Sequence, residues 1–204
     1  KTIISECSRR GFDTLTLYAF STENWLRPQN EVMFLMQLLR RYLKREQSTF
    51  VKQNVRFETI GDLTRLPEDV QREIAETKSL TQGNTGLRVI FAISYGSRQE
   101  LVSAAKFLAR KVQMGELSVE AIDADSIGKA LQTHMAPDPD LIIRTSGECR
   151  LSNFLLWQAA YSEIYFDQVL WPDFSVDGLQ KAIDWYHGRD RRFGKVSSTK
   201  MASL

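Results

Sequence analysis

The sequence comprises 204 residues, of which 43% are hydrophobic and 25% are charged, a balance typical of one α/β domain of ordinary size. Its net charge of +2 is too small to predict a nucleic-acid partner. No apolar run approaches the roughly 18 residues that a membrane span needs. Cys7 and Cys149 lack both metal-ligand and disulfide-framework spacing, which favours a reducing location such as the cytoplasm.

The chain opens inside a predicted helix. Ile3, Ile4 and Cys7 recur on one helical face, and Arg9 and Arg10 before Gly11 are typical of a helix end. Because the first residue is Lys rather than Met, we expect further sequence upstream of it.

Apolar strands and amphipathic helices alternate along the rest of the chain. The pattern predicts strands over 14–20, 55–60, 87–93, 141–144 and 162–166. It predicts helices over 31–47, 67–78, 98–112, 126–133 and 176–186, with Asn30 as the cap of the first and Pro67 in the first turn of the second. Continuously apolar strands that are each followed by a helix imply a single domain in which helices surround a central parallel sheet.

Polar segments follow three of the predicted strands. They are FSTENWLRP (20–28), SYGSR (94–98), and Arg144 with TSGECRLSN (145–153). Ligands of parallel sheets sit outside the carboxyl ends of the strands, and Arg, hydroxyl groups and small residues are suited to holding phosphate there. The glycine motifs of dinucleotide and P-loop enzymes are absent, which argues against both classes.

Simpler explanations exist for several of these residues. Ser21 and Thr22 could serve only to cap a helix, and Arg144 could reach solvent or pair with an acid. Glu163 shares a strand face with Tyr161 and Tyr165. It lies either on a solvated face, or beside a cation, or against Mg²⁺ that bridges a carboxylate and phosphate oxygens.

Four blocks resemble a known family. LTLYAFSTENWLRPQNEV (15–32), RTSGECRLSNFLLWQAAYSEIYF (144–166), LWPDF (170–174) and RDRRFG (189–194) are similar to the signature blocks of the cis-prenyltransferases, the undecaprenyl diphosphate synthase-like isoprenyl transferases. The blocks occur in the family's order, and the resemblance covers the chain from Gly11 to Gly194.

The resemblance implies a catalytic domain over 1–195, a C-terminal tail over 196–204, Mg²⁺ as cofactor and a homodimer. It implies condensation of isopentenyl diphosphate with an allylic diphosphate, farnesyl diphosphate, to form a Z-polyprenyl diphosphate. The implied product is undecaprenyl diphosphate for the cell-wall lipid carrier. Its release implies peripheral contact with a membrane, and nucleic acid is not an implied partner.

The resemblance also assigns roles to individual residues. Asn24 matches the residue that assists proton removal, in a segment over the allylic diphosphate whose other matching residues are Ser21, Thr22, Glu23, Trp25 and Arg27. The residues that match the grip on isopentenyl diphosphate are Arg144, Arg150, Leu151 and Ser152. Glu163 matches an Mg²⁺ ligand that works with an aspartate of the family's opening motif, and Arg189 and Arg191 match a C-terminal basic motif.

The sequence departs from the family pattern at three places. The opening block His-x-x-Met-Asp-Gly-Asn-x-Arg-Trp, which carries the principal catalytic aspartate, does not occur in these 204 residues. Cys149 stands where bacterial members often carry His, and SYGSR (94–98) replaces Asn-Tyr-Gly-Gly-Arg.

Three alternatives remain open from the sequence. A non-catalytic subunit of the same family is one, although the retained Asn24, Arg144 and Glu163 argue against it. An unrelated α/β phosphate-binding enzyme is another. The third concerns the helix over 31–47, whose extra apolar residues, Met33, Phe34 and Leu38, either line a tunnel for the isoprenoid tail or are buried on a second side.

Overall fold

A computed structural model describes residues 1–189 of the chain. The elements in chain order are α1 (Thr2–Arg10), β1 (Thr14–Ser21), α2 (Gln29–Lys52), β2 (Arg56–Ile60), α3 (Glu68–Thr81), β3 (Arg88–Tyr95), α4 (Ser97–Gln113), α5 (Ala124–Ala130), β4 (Leu141–Arg144), β5 (Glu163–Phe166) and α6 (Val176–His187). They form the single α/β domain with a parallel sheet that the sequence predicts. The predicted boundary between domain and tail at 195 lies outside the described residues.

Strand β3 is the centre of the larger sheet. It pairs in parallel with β1 on one edge and with β2 on the other, so that Arg88 lies opposite both Thr14 and Arg56. Every residue from Val89 to Tyr95 is buried, as expected of an apolar strand covered on both faces. This register brings the carboxyl ends of β1 and β3 to the same rim.

Strands β4 and β5 form a separate parallel pair. Among the described residues, β1 pairs only with β3 and β4 pairs only with β5, so the expected central sheet is divided into two parts. A cavity of about 360 Å³ lies where the two parts face each other, and it is lined by residues 12–17 and 136–143. The hydroxyl of Thr14 on this edge is buried without a hydrogen-bond partner.

Helix α2 differs from its prediction at both ends. It begins at Gln29, because the carbonyl of Pro28 accepts the amides of Glu31 and Val32, and Asn30 therefore lies within the first turn instead of capping it. It continues to Lys52, since burying Phe50 in the core extends the apolar face by a turn. Helix α3 starts one residue later than predicted, with Pro67 as its cap residue instead of lying in its first turn, and it also ends later, at Thr81.

The additional apolar residues of α2 are not buried on a second side. Met33, Phe34 and Leu38 are 42%, 57% and 48% exposed. Burial of α2 on two sides is therefore wrong for the described residues, and a role of these side chains in lining a tunnel stays a prediction. No helix within residues 1–189 is long and apolar enough to cross a membrane.

A buried carboxylate ties α4 to the rim. Glu100 is 4% exposed, and its two oxygens accept hydrogen bonds from the Tyr95 hydroxyl at 2.6 Å, the Gln158 amide at 3.0 Å and the Gln132 backbone amide at 2.9 Å. These donors come from the end of β3, from the segment before β5 and from the turn after α5. One side chain thus joins three separate parts of the chain.

Replacing Glu100 by Gln tests this connection. The amide keeps the size of the side chain but turns one acceptor oxygen into a donor, which leaves a buried donor of Tyr95, Gln132 or Gln158 without a partner. We expect the free energy of unfolding to fall by about 2–3 kcal/mol and the melting temperature to fall by roughly 5–10 °C.

Calorimetry and urea titration measure both quantities. Glu116→Gln is the matched control, because Glu116 is exposed and lies 4.0 Å from Lys111. Its expected effect is below about 0.5 kcal/mol. Equal melting temperatures for the two variants would contradict the role assigned to Glu100.

Candidate functional site

Three segments that follow strands meet at the carboxyl rim of the sheet. They are the turn Thr22–Leu26 after β1, here called the lid turn, the start of α4 after β3, and residues 145–157 after β4, here called the arginine loop. The Tyr18 hydroxyl donates to the carbonyls of Tyr95 at 3.2 Å and Ser152 at 3.3 Å. The structure therefore brings together the three polar segments that the sequence singles out.

The lid turn is held partly by its own first residues. The amide of Ser21 donates to Oδ1 of Asn24 at 2.8 Å, and the Ser21 side chain caps the turn in return. The simpler explanation for Ser21, a helix cap, is therefore realised, and the side-chain nitrogen of Asn24 is the group left to meet a substrate. The Thr22 hydroxyl is buried next to the Glu23 carboxylate, whose pKa it helps to lower, so it belongs to the polar network of the rim.

Trp25 anchors the other end of the lid turn. Its indole nitrogen donates to the Ser94 hydroxyl at 2.9 Å, and the guanidinium of Arg65 lies 4.8 Å from the ring centroid. The ring also contacts Phe20 edge-on, with 5.0 Å between centroids. Arg27, just beyond the turn, is exposed and pairs with Glu31 at 2.7 Å. Trp25 thus fixes the backbone of the turn, while Arg27 lies on the surface.

The arginine loop adopts an unusual backbone. Ser146, Ser152, Asn153 and Leu155 have φ angles of 72°, 50°, 63° and 46°, all in the left-handed region that side chains disfavour. Such conformations cost of order 1–3 kcal/mol each, and they persist where surrounding contacts enforce them, often at functional sites. The loop is therefore held in one shape by its neighbours.

The cationic residues of the arginine loop are differently placed. Nε of Arg144, at the end of β4, is buried without a hydrogen-bond partner among residues 1–189. Arg150 is exposed and forms an ion pair with Glu148, and the carbonyl of Leu151 accepts the amide of Phe154 at 3.0 Å. A buried guanidinium nitrogen with nothing to donate to suits an anionic ligand. Neither alternative for Arg144, reaching solvent or pairing with an acid, accounts for this nitrogen.

Two titratable groups between these segments have shifted pKa values. Burial tends to raise the pKa of Glu23, but hydrogen bonds from its own backbone amide and from Asn153 outweigh that effect and leave the pKa below its usual value. Burial, aided by the charge of Glu23, raises the pKa of Tyr18 to about 12. At neutral pH, Glu23 is therefore ionised and Tyr18 is a neutral hydrogen-bond donor.

Glu163 does not join the other predicted residues at the rim. It pairs in register with Leu141 at the amino ends of β4 and β5, whereas Arg144 pairs with Phe166 at their carboxyl ends. Three residues of strand separate the two positions by about 10 Å. Its carboxylate lies 3.3 Å from Nε of Arg189, which matches the alternative of a cation partner. Arg191 lies outside the described residues.

The residues present do not by themselves fit a bound Mg²⁺. Across residues 1–189 there is no group of three or more His, Cys, Asp or Glu side chains placed to hold a metal ion. Mg²⁺ prefers carboxylate oxygens, and Glu163 supplies one carboxylate that is already paired with a guanidinium. Cys149 is an exposed free thiol, and it adds no suitable oxygen ligand.

Sequence reasoning missed two residues of the site. Asn153 hydrogen-bonds to the lid turn and to the start of α4, and Tyr18 bridges β3 and the arginine loop. Asn153 directly follows Ser152 in the third polar segment, and its place in that segment could have indicated a role at the site. Tyr18 lies in an apolar strand whose sequence gives no indication of a polar role.

Comparison with known proteins identifies the family. A family described as "Putative undecaprenyl diphosphate synthase" matches residues 1–194. Isoprenyl transferases from Clostridium perfringens and Streptococcus thermophilus are 48% and 51% identical, over 96% and 94% of this chain and 78% of each relative.

Two solved structures are similar throughout. Lavandulyl diphosphate synthase from Lavandula x intermedia, in complex with dimethylallyl diphosphate, superposes with a TM-score of 0.93 at 40% identity, covering 95% of this chain and 84% of that one. A probable undecaprenyl diphosphate synthase from Campylobacter jejuni gives 0.84 at 38% identity, covering 95% and 89%. The chain therefore belongs to the undecaprenyl diphosphate synthase family, and it is an enzyme of the cis-prenyltransferase type.

Proposed function

We propose that this enzyme condenses isopentenyl diphosphate with an allylic diphosphate, farnesyl diphosphate, to form a Z-polyprenyl diphosphate. The observation that carries the proposal is the meeting of the lid turn and the arginine loop at one rim, where Nε of Arg144 is a buried donor without a partner among the described residues. Two substrates that each carry a diphosphate require two such groups of donors side by side. The solved plant relative, in complex with dimethylallyl diphosphate, supports an allylic diphosphate as one substrate.

The proposed division of labour follows the two segments. Arg144, Arg150 and Ser152 bind the diphosphate of isopentenyl diphosphate, with Leu151 shaping the loop between them. The lid turn covers the allylic diphosphate. Negative charge grows on that leaving group as its C–O bond breaks, so donors that are already in place stabilise the transition state more than the ground state.

In this proposal Asn24 assists the final proton loss. The double bond of isopentenyl diphosphate attacks the allylic carbon as its C–O bond to diphosphate breaks, and the resulting cation passes a proton to an oxygen of the released diphosphate to leave a Z double bond. The hydrogen bond from Ser21 fixes Asn24 through its Oδ1. The side-chain nitrogen of Asn24 would then donate to the diphosphate and orient the oxygen that accepts the proton.

The opening block of the family completes the site in this proposal. Its support is the cavity of about 360 Å³ that borders β1 and β4, two strands that do not pair with each other among the described residues. A strand inserted there would join the two parts of the sheet. We retain Mg²⁺ as cofactor on chemical grounds, with Glu163 and the aspartate of the opening block as its carboxylates.

We extend the proposal to the product and the assembly. Undecaprenyl diphosphate for the cell-wall lipid carrier is supported by the bacterial isoprenyl transferases that this chain resembles. A homodimer is supported by exposed aromatic residues near β5, where Tyr161, Phe166 and Trp171 are at least 42% exposed. Burial of such residues is common in subunit interfaces.

Location and membrane contact belong to the same proposal. The free thiols of Cys7 and Cys149 are consistent with the cytoplasm. The exposed apolar side chains of α2, above all Phe34, offer a surface for peripheral contact with a membrane when the apolar product leaves.

An assay with radiolabelled isopentenyl diphosphate, farnesyl diphosphate and Mg²⁺ tests the function. The protein is the chain joined at Lys1 to the upstream segment of the Clostridium relative. We expect incorporation of label into a lipid-soluble product in which the new double bonds are Z by NMR. The same protein with Asn for the aspartate of the opening block is the control and should lose most turnover. Label incorporation that is equal in the two proteins would contradict the proposed mechanism.

Arg150→Ala in that protein tests the grip on isopentenyl diphosphate. A hydrogen bond to a charged group contributes about 1.5–3 kcal/mol, so KM for isopentenyl diphosphate should rise about 10- to 100-fold. KM for farnesyl diphosphate should change by less than about threefold, since Arg150 lies in the other segment. Arg72→Ala, an exposed arginine of α3, is the control and should leave both constants unchanged. Equal increases in both KM values would remove Arg150 from this role.

Glu163→Gln tests the metal role against the ion pair with Arg189. That exposed pair contributes at most about 1 kcal/mol, so the melting temperature should fall by no more than about 4 °C. If Glu163 serves Mg²⁺, kcat should fall about 100-fold, and half-maximal activity should need more Mg²⁺. Glu58→Gln is the control, because Glu58 is a strand carboxylate paired with Arg56 and Lys78. Unchanged turnover and Mg²⁺ dependence would leave Glu163 with the structural role alone.

A further inference from the structure

Asn153 contacts all three segments that build the rim. It belongs to the arginine loop, and its side-chain nitrogen donates to Oε1 of Glu23 in the lid turn at 3.1 Å. The same nitrogen donates to Oε1 of Gln99 in α4 at 3.1 Å. Its Oδ1 accepts the amide of Arg98 at 2.9 Å, and its backbone carbonyl accepts the amide of Ser97 at 2.8 Å. Both donors and the acceptor of this side chain are therefore in use.

The contact at the start of α4 is a helix cap supplied from elsewhere in the chain. Gly96, at the N-cap position, makes no side-chain cap hydrogen bond, and Asn153 satisfies the first amides of the helix in its place. A residue that follows β4 thus holds the helix that follows β3.

The three segments pack around Asn153 without spare room. A Cβ atom at Gly96 would lie 2.6 Å from Nδ2 of Asn153, 2.7 Å from the Thr22 hydroxyl and 2.3 Å from Oε1 of Gln99. Asn153 itself has a φ of 63°, a conformation that its contacts enforce. A shift of the arginine loop is therefore transmitted to the lid turn through the Asn153 amide.

We propose that Asn153 is a positioning residue that couples the two substrate sites, setting the lid turn over the allylic diphosphate through Glu23 while it fixes the arginine loop on α4. This inference rests on the proposed function of the two segments. Both donors and the acceptor of the Asn153 side chain are taken by protein groups, so Asn153 acts through Glu23 and through Ser152, its neighbour in sequence. Asn153 thereby fixes the position of one diphosphate site relative to the other.

Asn153→Asp separates positioning from structure. The carboxylate keeps an acceptor for the Arg98 amide and adds a negative charge at a helix start, where it is favourable. It loses the donor to Glu23 and places two carboxylates side by side. We expect a melting temperature close to that of the parent protein. The Kd of farnesyl diphosphate, measured by calorimetry without isopentenyl diphosphate, should rise at least 10-fold, although position 153 lies in the other segment.

The matched control is Asn84→Asp. Asn84 also donates through its side-chain amide, to the carbonyls of Phe50 and Val55, but it lies away from the rim. This variant should lower the melting temperature and leave the Kd of farnesyl diphosphate unchanged. A loss of melting temperature without a change in Kd in Asn153→Asp would assign Asn153 to structure alone and overturn the proposal.

A second substitution tests whether the coupling runs through Glu23. In Asn153→Asp with Glu23→Gln, the introduced amide can donate to the introduced carboxylate, which restores the hydrogen bond in the opposite direction. The loss of affinity caused by Asn153→Asp should therefore be at least fivefold smaller in the protein that carries Glu23→Gln than in the protein that retains Glu23. Additive effects of the two substitutions would overturn the coupling.

The failure of this inference is distinguishable from that of the proposed function. Absence of isoprenyl transfer by the parent protein would count against the function. The double-substitution cycle in Kd requires no turnover, so additivity there counts against Asn153 alone.

Discussion

Strand β3 pairs in parallel with β1 on one edge and with β2 on the other, and this pairing positions the other elements of the fold. Its apolar residues from Val89 to Tyr95 are buried, with β1 and β2 bonded in parallel on its two edges. Parallel pairing requires every connection to return to the same end, so the polar segments after β1 and β3 must share one rim. The Tyr18 hydroxyl donates to the Ser152 carbonyl and so connects β1 to the arginine loop. The Tyr95 hydroxyl donates to the Glu100 carboxylate and so connects β3 to α4.

The rim is organised by polar contacts between loops, and most of its hydrogen-bond donors have partners within the protein. Trp25 is held by Ser94, Asn24 by Ser21, and Asn153 by the first amides of α4. These contacts hold several residues in left-handed conformations that would relax in isolation. Donors that are fixed before the substrates arrive need no reorganisation during the reaction, which is what a developing diphosphate charge requires.

The division of the sheet and the position of Glu163 both follow from the arrangement of β1, β4 and β5. The unpaired edges of β1 and β4 border the same cavity, and Glu163 lies at the amino end of β5, away from Arg144. The described residues thus supply the cationic and hydroxyl donors of the rim, but they form no group of three or more His, Cys, Asp or Glu side chains that could hold a metal ion. In the proposed function, the carboxylate that works with Glu163 comes from the opening block of the family.

The order of strands and helices, the parallel sheet and the three polar segments could be predicted from the sequence, because apolar periodicity and strand-end chemistry are local properties. The resemblance of residues 144–166 to a family also predicts substrate-binding roles for Arg144, Arg150 and Ser152. Tertiary structure alone decided where α2 ends, since burying Phe50 extends it, and that Phe34 faces solvent. It also decided the partner of Glu163 and the contacts of Asn153, because both depend on which distant residues the fold brings within hydrogen-bonding distance.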